Sequence, residues 1–435
     1  MGVGSASVVD YANTYPGTAS HVNATGSVGD FEVVVDGSGA TTLSLNFQTA
    51  TSLDPRITFT RASSATQYNS VGTLISVGSD VARLDYDPVT LAPKGLLIEE
   101  QRTNLLIYSE QFDAVWGKSF STIVANATIA PDNTNTGDKL ILNSPQTPAS
   151  TRSVYQSVSI TGVNTITIFA KAAEFSALRL SILTAANTTL TGPTFNLSNG
   201  SYDALVSAIS ANISSVGGGW YRCTATFDFL SGVTTARTYI ASTQATGDGT
   251  SGIYIWGAQL EAGAFPTSYI PTTSATVTRA ADNASMVGSN FSSWYNQSEG
   301  TVYSQWVMGG DNTSVTVYNI NDTTSANYIR NRYNSAGSGN DNAVTVSSIV
   351  QQTLTATNQI ALYAMYKNAM SYKQNDFARS ANGTLITGST GNIPVVSQMN
   401  IGASESSVNQ INGWLQSFKY YPTRLPNGTL QGLTA

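Results

Sequence analysis

Short runs of alternating apolar and polar residues, each closed by Gly, Asn, Asp or Pro, recur along most of this chain. That pattern leaves little besides antiparallel β-sheet open to it. The segments SVYQSVSI, TITIFAKA, LRLSIL, WYRCTATFDF, ARTYIAS and GIYIWGAQLE are six to ten residues long and mostly alternate, as strands do with one buried and one wet face. The best helical candidate is residues 357–372, with apolar residues at 360, 362, 365 and 370. It reads better as two extended runs around a Lys367-Asn368 turn, with a helix as the alternative. Charged residues make up 11% of the chain against about 25% in typical domains, so the surface is uncharged polar. Thr favours strands, and Gly and Asn favour turns. The expected fold class is all-β, an N-terminal assembly segment followed by two antiparallel β-sandwich (jelly-roll) domains.

The same residues exclude whole classes of chemistry. A chain of 435 residues predicts two or three domains at roughly 150 residues each. The formal charge is −6 and no Lys/Arg cluster could neutralise a row of phosphates, so nucleic acid is not an expected partner. No stretch approaches the ~20 apolar residues of a membrane span, and the N-terminus lacks a basic-then-apolar leader. Membrane insertion is not expected, and synthesis in a cytoplasm is. Cys223 and His21 are the single residues of their types, which removes an intrachain disulfide, a thiolate metal site and, with His21 in the presumed attachment segment, a Ser-His-Asp relay. Glycoside hydrolysis needs only two carboxylates. Asp203, Asp228, Glu261, Glu299 and Glu405 supply acids, yet no spacing singles out a pair, so a non-enzyme is expected. Glu261, at the end of an alternating strand, reads as a group that holds a loop or a structural ion. No cofactor is expected. The run Pro131 to Asp138 could hold a structural Ca²⁺ through oxygen ligands, but it lacks EF-hand spacing and reads better as an Asx-turn loop.

Four stretches differ in character. Residues 1–50 carry two alternating segments, Phe31 to Val35 and Thr42 to Phe47, around Asp36-Gly37-Ser38-Gly39. They predict a hairpin, and a lone hairpin needs partners, so this is an attachment and oligomerisation segment. Residues 51–107 form a compact strand-turn-strand module. It holds Arg56, Arg61, Arg83, Asp85, Asp87, Lys94, Glu99, Glu100 and Arg102, which read as a surface ion-pair lattice. Residues 108–280 predict one sandwich and 281–435 another, with a linker near 267–286. The final LPNGTLQGLTA predicts a short helical turn after Pro426, with Leu425 and Leu430 tucked inward.

Residues 57–112 contain, in order, Phe59-Thr60-Arg61-Ala62-Ser63, Arg83-Leu84-Asp85-Tyr86-Asp87, Gly95-Leu96-Leu97-Ile98-Glu99, Arg102-Thr103-Asn104-Leu105-Leu106 and Tyr108-Ser109-Glu110. This series resembles the head-spike and tail-fibre family of tailed bacteriophages. The stretch with Gly219-Trp220-Tyr221-Arg222, Ile255 to Gly263, Ser268 to Thr272 and Thr278 to Asp282 is similar to the carbohydrate-binding-module-like jelly roll that follows in such proteins. The last unit, from Gly300-Thr301-Val302-Tyr303 to Asn412-Gly413-Trp414 and Tyr421-Pro422, resembles a concanavalin A-like or laminin-G-like sandwich. The resemblance implies a fibre or spike on the exterior of a virion. It would dock on capsid or tail through its N-terminal segment, assemble as a homotrimer or, at a vertex, a pentamer, and touch host surface polysaccharide with its distal sandwiches. A polysaccharide depolymerase and a ligand-free decoration spike are the alternatives.

Sugar binding asks for aromatic faces flanked by amides and charges. Trp116, after a loop-like SEQFDAV, and Trp294 and Tyr295, in a polar stretch, are the aromatic candidates. The tract Tyr328 to Asn334 adds Arg330, Arg332 and Tyr333, a set suited to acidic sugars. Trp220, Trp256, Trp306 and Trp414 lie in strand patterns, and alternation assigns Trp220 and Trp256 to the core.

Overall fold

The computed structural model describes residues 41–435 apart from 144–151, 185–188, 230–235, 244–246, 311–313, 335–338 and 357–359. The first half of the expected hairpin, Phe31 to Val35, lies outside the described residues, as does His21. The described chain is almost wholly antiparallel sheet with two short helices.

The first sandwich faces two six-stranded sheets. One runs in the order Ser210–Gly217, Trp220–Asp228, Val163–Ala172, Gly252–Ala262, Gly137–Leu142, Ser121–Thr128. The other runs Ser201–Tyr202, Thr189–Asn196, Ala177–Thr184, Ala236–Ser242, Arg152–Val158, Gly117–Ser119. Between them lie Leu140, Val154, Ile166, Ile168, Leu180, Phe195, Phe227 and Ile255, drawn inward by period-2 alternation. Cys223 is buried here too. Trp220 and Trp256 are buried as expected, but by parity they lie on the sheet face opposite Cys223, Phe227, Ile253 and Ile255, in a smaller cluster with Leu74, Phe169 and Tyr269 that covers that outer face.

The second sandwich is built from both ends of the chain. Its eight-stranded sheet orders Thr384–Gly388, Asp376–Ala381, Met365–Lys373, Glu299–Met308, Gly413–Tyr421, Pro93–Ile98 and Arg83–Tyr86, and Leu43–Asn46 pairs with the far stretch of Gly413–Tyr421. Its seven-stranded partner runs Thr58–Thr60, Asn283–Val287, Gln398–Ile401, Ser314–Asn321, Tyr328–Asn334, Gly339–Val346, Ile349–Ala356. Leu43, Leu45, Phe47, Leu96 and Ile98 share one core with Val302, Trp306, Tyr318, Met370, Phe377 and Phe418. The helix Asn427–Thr434 follows Pro426 as expected, with Leu425 and Leu430 buried against the outer face of the eight-stranded sheet.

This topology corrects the expected division at residues 50, 107 and 280. Residues 51–107 are no free-standing module, because their strands would leave apolar faces uncovered until Gly413–Tyr421 and Asn283–Val287 pair with them. The stretch near 267–286 is not a free linker either. Tyr269 and Ile270 are buried, Val277–Arg279 pairs with Arg102–Asn104, and Asn283–Val287 enters the second sandwich. Of the two extended runs expected within 357–372, residues 357–359 lie outside the described residues and 360–364 form a loop that turns at Leu362-Tyr363, so the strand reading holds only from Met365 on. Met365–Lys373 is one strand through Lys367 and Asn368, and it pairs with Asp376–Ala381.

The expected surface ion-pair lattice is also corrected. Arg61, Arg83, Arg279, Asp282 and Glu99 are buried where the two sandwiches meet. Arg83 bridges Glu99 at 2.7 Å and also bonds Asp282. Arg61 reaches Asp282 at 3.1 Å, and Arg279 donates to the Glu100 carbonyl at 2.6 Å. Backbone carbonyls of Ser63 and Gly78 take further Arg61 donors. Three guanidiniums thus share two carboxylates and several carbonyl dipoles, which is how buried charge is satisfied. Asn104 stitches the junction alongside, donating to Ala258 and Ile270 carbonyls and accepting from the Leu106 and Leu260 amides.

Candidate functional site

A cleft of about 650 Å³ opens beside this hub, walled by both sandwiches. Its size falls in the range of small-ligand sites. Along Arg83–Tyr86 the side chains alternate, so Arg83 and Asp85 share a face. Both are buried, Arg83 in the hub and Asp85 at the cleft wall. The carboxylate of Asp85 accepts from Trp414 Nε1 at 2.9 Å and from the Tyr68 amide at 2.9 Å. Lys94, on the neighbouring strand, lays its ammonium 3.3 Å from the Trp414 ring centroid, a cation–π contact. From the opposite wall Arg222, in register with Phe169, holds its guanidinium 5.8 Å from that ring and donates through Nη2 to the Thr267 carbonyl. Tyr363, 55% exposed, stands on the cleft lining. Its φ of 61° is a strained conformation for a bulky side chain, and its amide donates to the Met308 carbonyl at 2.8 Å.

The electrostatics separate the wall's acids. Burial pushes the Asp85 carboxyl up, against Lys94 and its hydrogen-bond donors. Burial would do the same to Glu99, but Arg279, Arg83 and Ser268 hold it well below the usual carboxylate range. Burial lowers Lys94, with Asp85 and Asp87 opposing.

None of the sequence-predicted site residues lines this cleft. Trp116 is 2% exposed and donates to the Tyr108 carbonyl at 3.0 Å beside Phe112. It is core of the first sandwich, because its loop folds under the sheet edge. Trp294 is 3% exposed and packs on Phe291 and Tyr420. Tyr295 stacks on Phe291 at 4.6 Å with its hydroxyl buried. These three rings are therefore corrected from surface platforms to packing groups. Tyr333 points into the core at 2% exposure, whereas Arg330 and Arg332, of opposite parity, reach the outer face. There Arg330 lies 4.3 Å from the Tyr328 ring and Arg332 pairs with Asp341 at 2.9 Å. Alternation thus splits the Arg/Tyr tract between two faces.

Glu261 holds a loop, accepting from the Thr267 amide and hydroxyl and from Gln259. In the loop from Pro131 to Asp138, Asp132 closes an Asx-type turn onto Thr134, and Asp138 accepts from the amides of Asn126 and Phe112. Among the described residues no group of three or more His, Cys, Asp or Glu is placed to hold a metal, and no helix is long and apolar enough to cross a membrane.

The residues that do form the site, Tyr68, Asp85, Lys94, Arg222, Tyr363 and Trp414, were not singled out by sequence for binding. Lys94 sits in a turn signal and Arg222 and Trp414 in strand patterns, and more than three hundred residues separate Tyr68 from Trp414. The one legible signal is that Asp85, Lys94, Arg222 and Trp414 fall within or beside the quoted motifs.

No family model and no curated protein matches the chain. Among solved structures it is similar to the CBM40 of the Ruminococcus gnavus IT-sialidase bound to α2,3-sialyllactose, at 15% identity over 34% of this chain and 88% of that one, with a TM-score of 0.30. It is also similar to the native heptameric SAP-like pentraxin of Limulus polyphemus, at 14% identity over 32% and 70% with a TM-score of 0.25. A third likeness is to domains LG4-5 of the mouse laminin α1 chain, at 9% identity over 61% and 84% with a TM-score of 0.23.

Proposed function

We propose that this chain is the adhesion subunit of a phage fibre or spike on the virion exterior, a non-enzymatic protein that holds host surface polysaccharide in the cleft between its two sandwiches. The observation that carries the reading is the convergence of the resemblance's own landmark residues. Arg61, Arg83, Glu99, Arg279 and Asp282 lock one buried hub, and that hub backs a cleft that offers Trp414, Tyr68 and Tyr363 with amides and charges around them. A rigid scaffold with amphipathic aromatics and directional polar groups is what oligosaccharide recognition asks for. Weak single sites gain from several copies, so the subunit is read as a homotrimer, with a pentamer as the vertex arrangement, held to capsid or tail through its N-terminal segment.

Light scattering on the full chain should give a trimeric or pentameric mass, and an array of bacterial surface polysaccharides should retain it without release of reducing ends. Tyr363→Ala should weaken retention about tenfold, ~1.4 kcal/mol, with the cooperative unfolding transition retained, since the ring is 55% exposed. Silence across the array would sink the adhesion reading, and reducing-end release would replace it with depolymerisation.

A further inference from the structure

Three buried polar atoms among the cleft-lining side chains have no hydrogen-bond partner among the described residues: the Tyr68 hydroxyl, Gln67 Oε1 and Arg222 Nε. Such atoms occur elsewhere in the described chain as well, but these three share one cavity, the arrangement in which a single ligand can meet them together. Arg222 is fixed in place by Thr267 and Phe169, so its open Nε–H is a preformed donor. Lys94 faces the same volume from the other sandwich, and its nearest carboxylate, Asp85, is 4.0 Å away. Burial lowers the Lys94 ammonium and the Arg222 charge adds to that, so the two cations feel one another across the gap.

The acids around the cleft are already committed. Asp85 accepts from Trp414 and Tyr68, Asp87 from the amides of Val89 and Thr90, and Glu99 from Ser268 beside its arginines. The Arg222 Nε–H and the Tyr68 O–H therefore remain as open donors, with the Gln67 oxygen as an acceptor, and the Lys94 ammonium, held by Trp414 and Asp85, adds its positive charge to the same volume. A planar carboxylate suits a guanidinium edge, and an amide oxygen suits a ring hydroxyl.

We propose that the cleft is a subsite for an acidic sugar, a hexuronate whose carboxylate sits between Arg222 and Lys94 and accepts from Tyr68, while Gln67 Oε1 accepts from a ring hydroxyl. This deepens the glycan-binding reading above and rests on it.

The test titrates the full-length oligomer with oligomers of galacturonate, glucuronate and alginate, each beside its carboxyl-reduced neutral counterpart, and with dextran sulfate as a bare polyanion. At least one uronate should bind, with affinity falling about tenfold or more on carboxyl reduction and by a similar factor in Arg222→Gln. Tyr68→Phe removes a hydroxyl that no described residue bonds. It should weaken uronate binding severalfold while leaving the unfolding midpoint unchanged or raised, a split that a structural role would not give. Equal binding of a uronate and its reduced form, unchanged binding by Tyr68→Phe, or competition by dextran sulfate equal to the best uronate would overturn the hexuronate assignment. Binding of neutral glycans alone would overturn it too, and would leave the adhesion reading standing. Binding of no glycan, acidic or neutral, would remove both.

Discussion

Arg83 meets two carboxylates at once, Glu99 and Asp282, with its side chain wholly buried. Replacing it by Met would leave both acids without their shared cation, although Arg61 and Arg279 remain beside them. Breaking a buried pair from one side costs about 3–5 kcal/mol, so Arg83→Met should lower the denaturant midpoint by that equivalent. The pH course has a defined sign. Glu99 is held below its ordinary 4.5, so its contribution is present above that value and is lost as pH falls toward its folded pKa. The stability gap between wild type and variant should therefore narrow in acid. The charged residues were legible in the sequence, but their burial was not. Mixed charges in short turn-rich loops normally lie at a surface, and here a second sandwich closes over them.

Among the strands, Pro93–Ile98 shows how one residue decides a pairing. Gly95 has φ of +111°, and a Cβ there would run into the Leu415 carbonyl oxygen, one residue before the run Leu96 to Ile98 that pairs with Gly413 to Leu415. Gly95→Ala should strain the backbone by about 1–3 kcal/mol and also force the strands apart. We expect a lower melting temperature and faster amide exchange at Leu96 and Leu97. Strand existence was legible from alternation, whereas the turn near Lys367-Asn368 was misplaced. Met365–Lys373 is buried on both faces over most of its length, so Asn368 is no turn residue. It sits inside the sheet, accepting at 2.8 Å from Nε of the fully buried Arg379. Where both faces are covered, period-2 polarity fades and cannot mark a reversal.

For the whole molecule, the decisive fact is that the second sandwich borrows Leu43, Leu45, Phe47, Leu96 and Ile98 from before residue 107. Each fully buried side chain of this size contributes about 1.5–3 kcal/mol, and removing their strands would also bare an edge of Gly413–Tyr421. A chain truncated to begin at Asn104 should therefore lose the cooperative unfolding transition of the second sandwich. The first sandwich, whose strands all lie between Gly117 and Ala262, should keep its own transition in calorimetry. A chain beginning at Thr41 should keep both. Equal transitions in the two truncations would contradict this account.

The sequence by itself determined what depends on neighbours along the chain. That includes the all-β class, the inward or outward phase of most strands and the closing helix after Pro426. These follow from period-2 polarity, turn residues and composition, which are local quantities. Only the tertiary structure decided which distant segments meet. Pairing across the sandwiches placed Asp85, Lys94, Arg222 and Trp414 around one cleft and buried Arg61, Arg83, Glu99, Arg279 and Asp282 as its backing. It also turned Trp116, Trp294 and Tyr333 inward. A ring that looks free in a polar stretch stays free only if the fold leaves it uncovered: Trp116 is closed in by its own loop against Phe112 and Tyr108, and Trp294 by Phe291 and, from far along the chain, Tyr420.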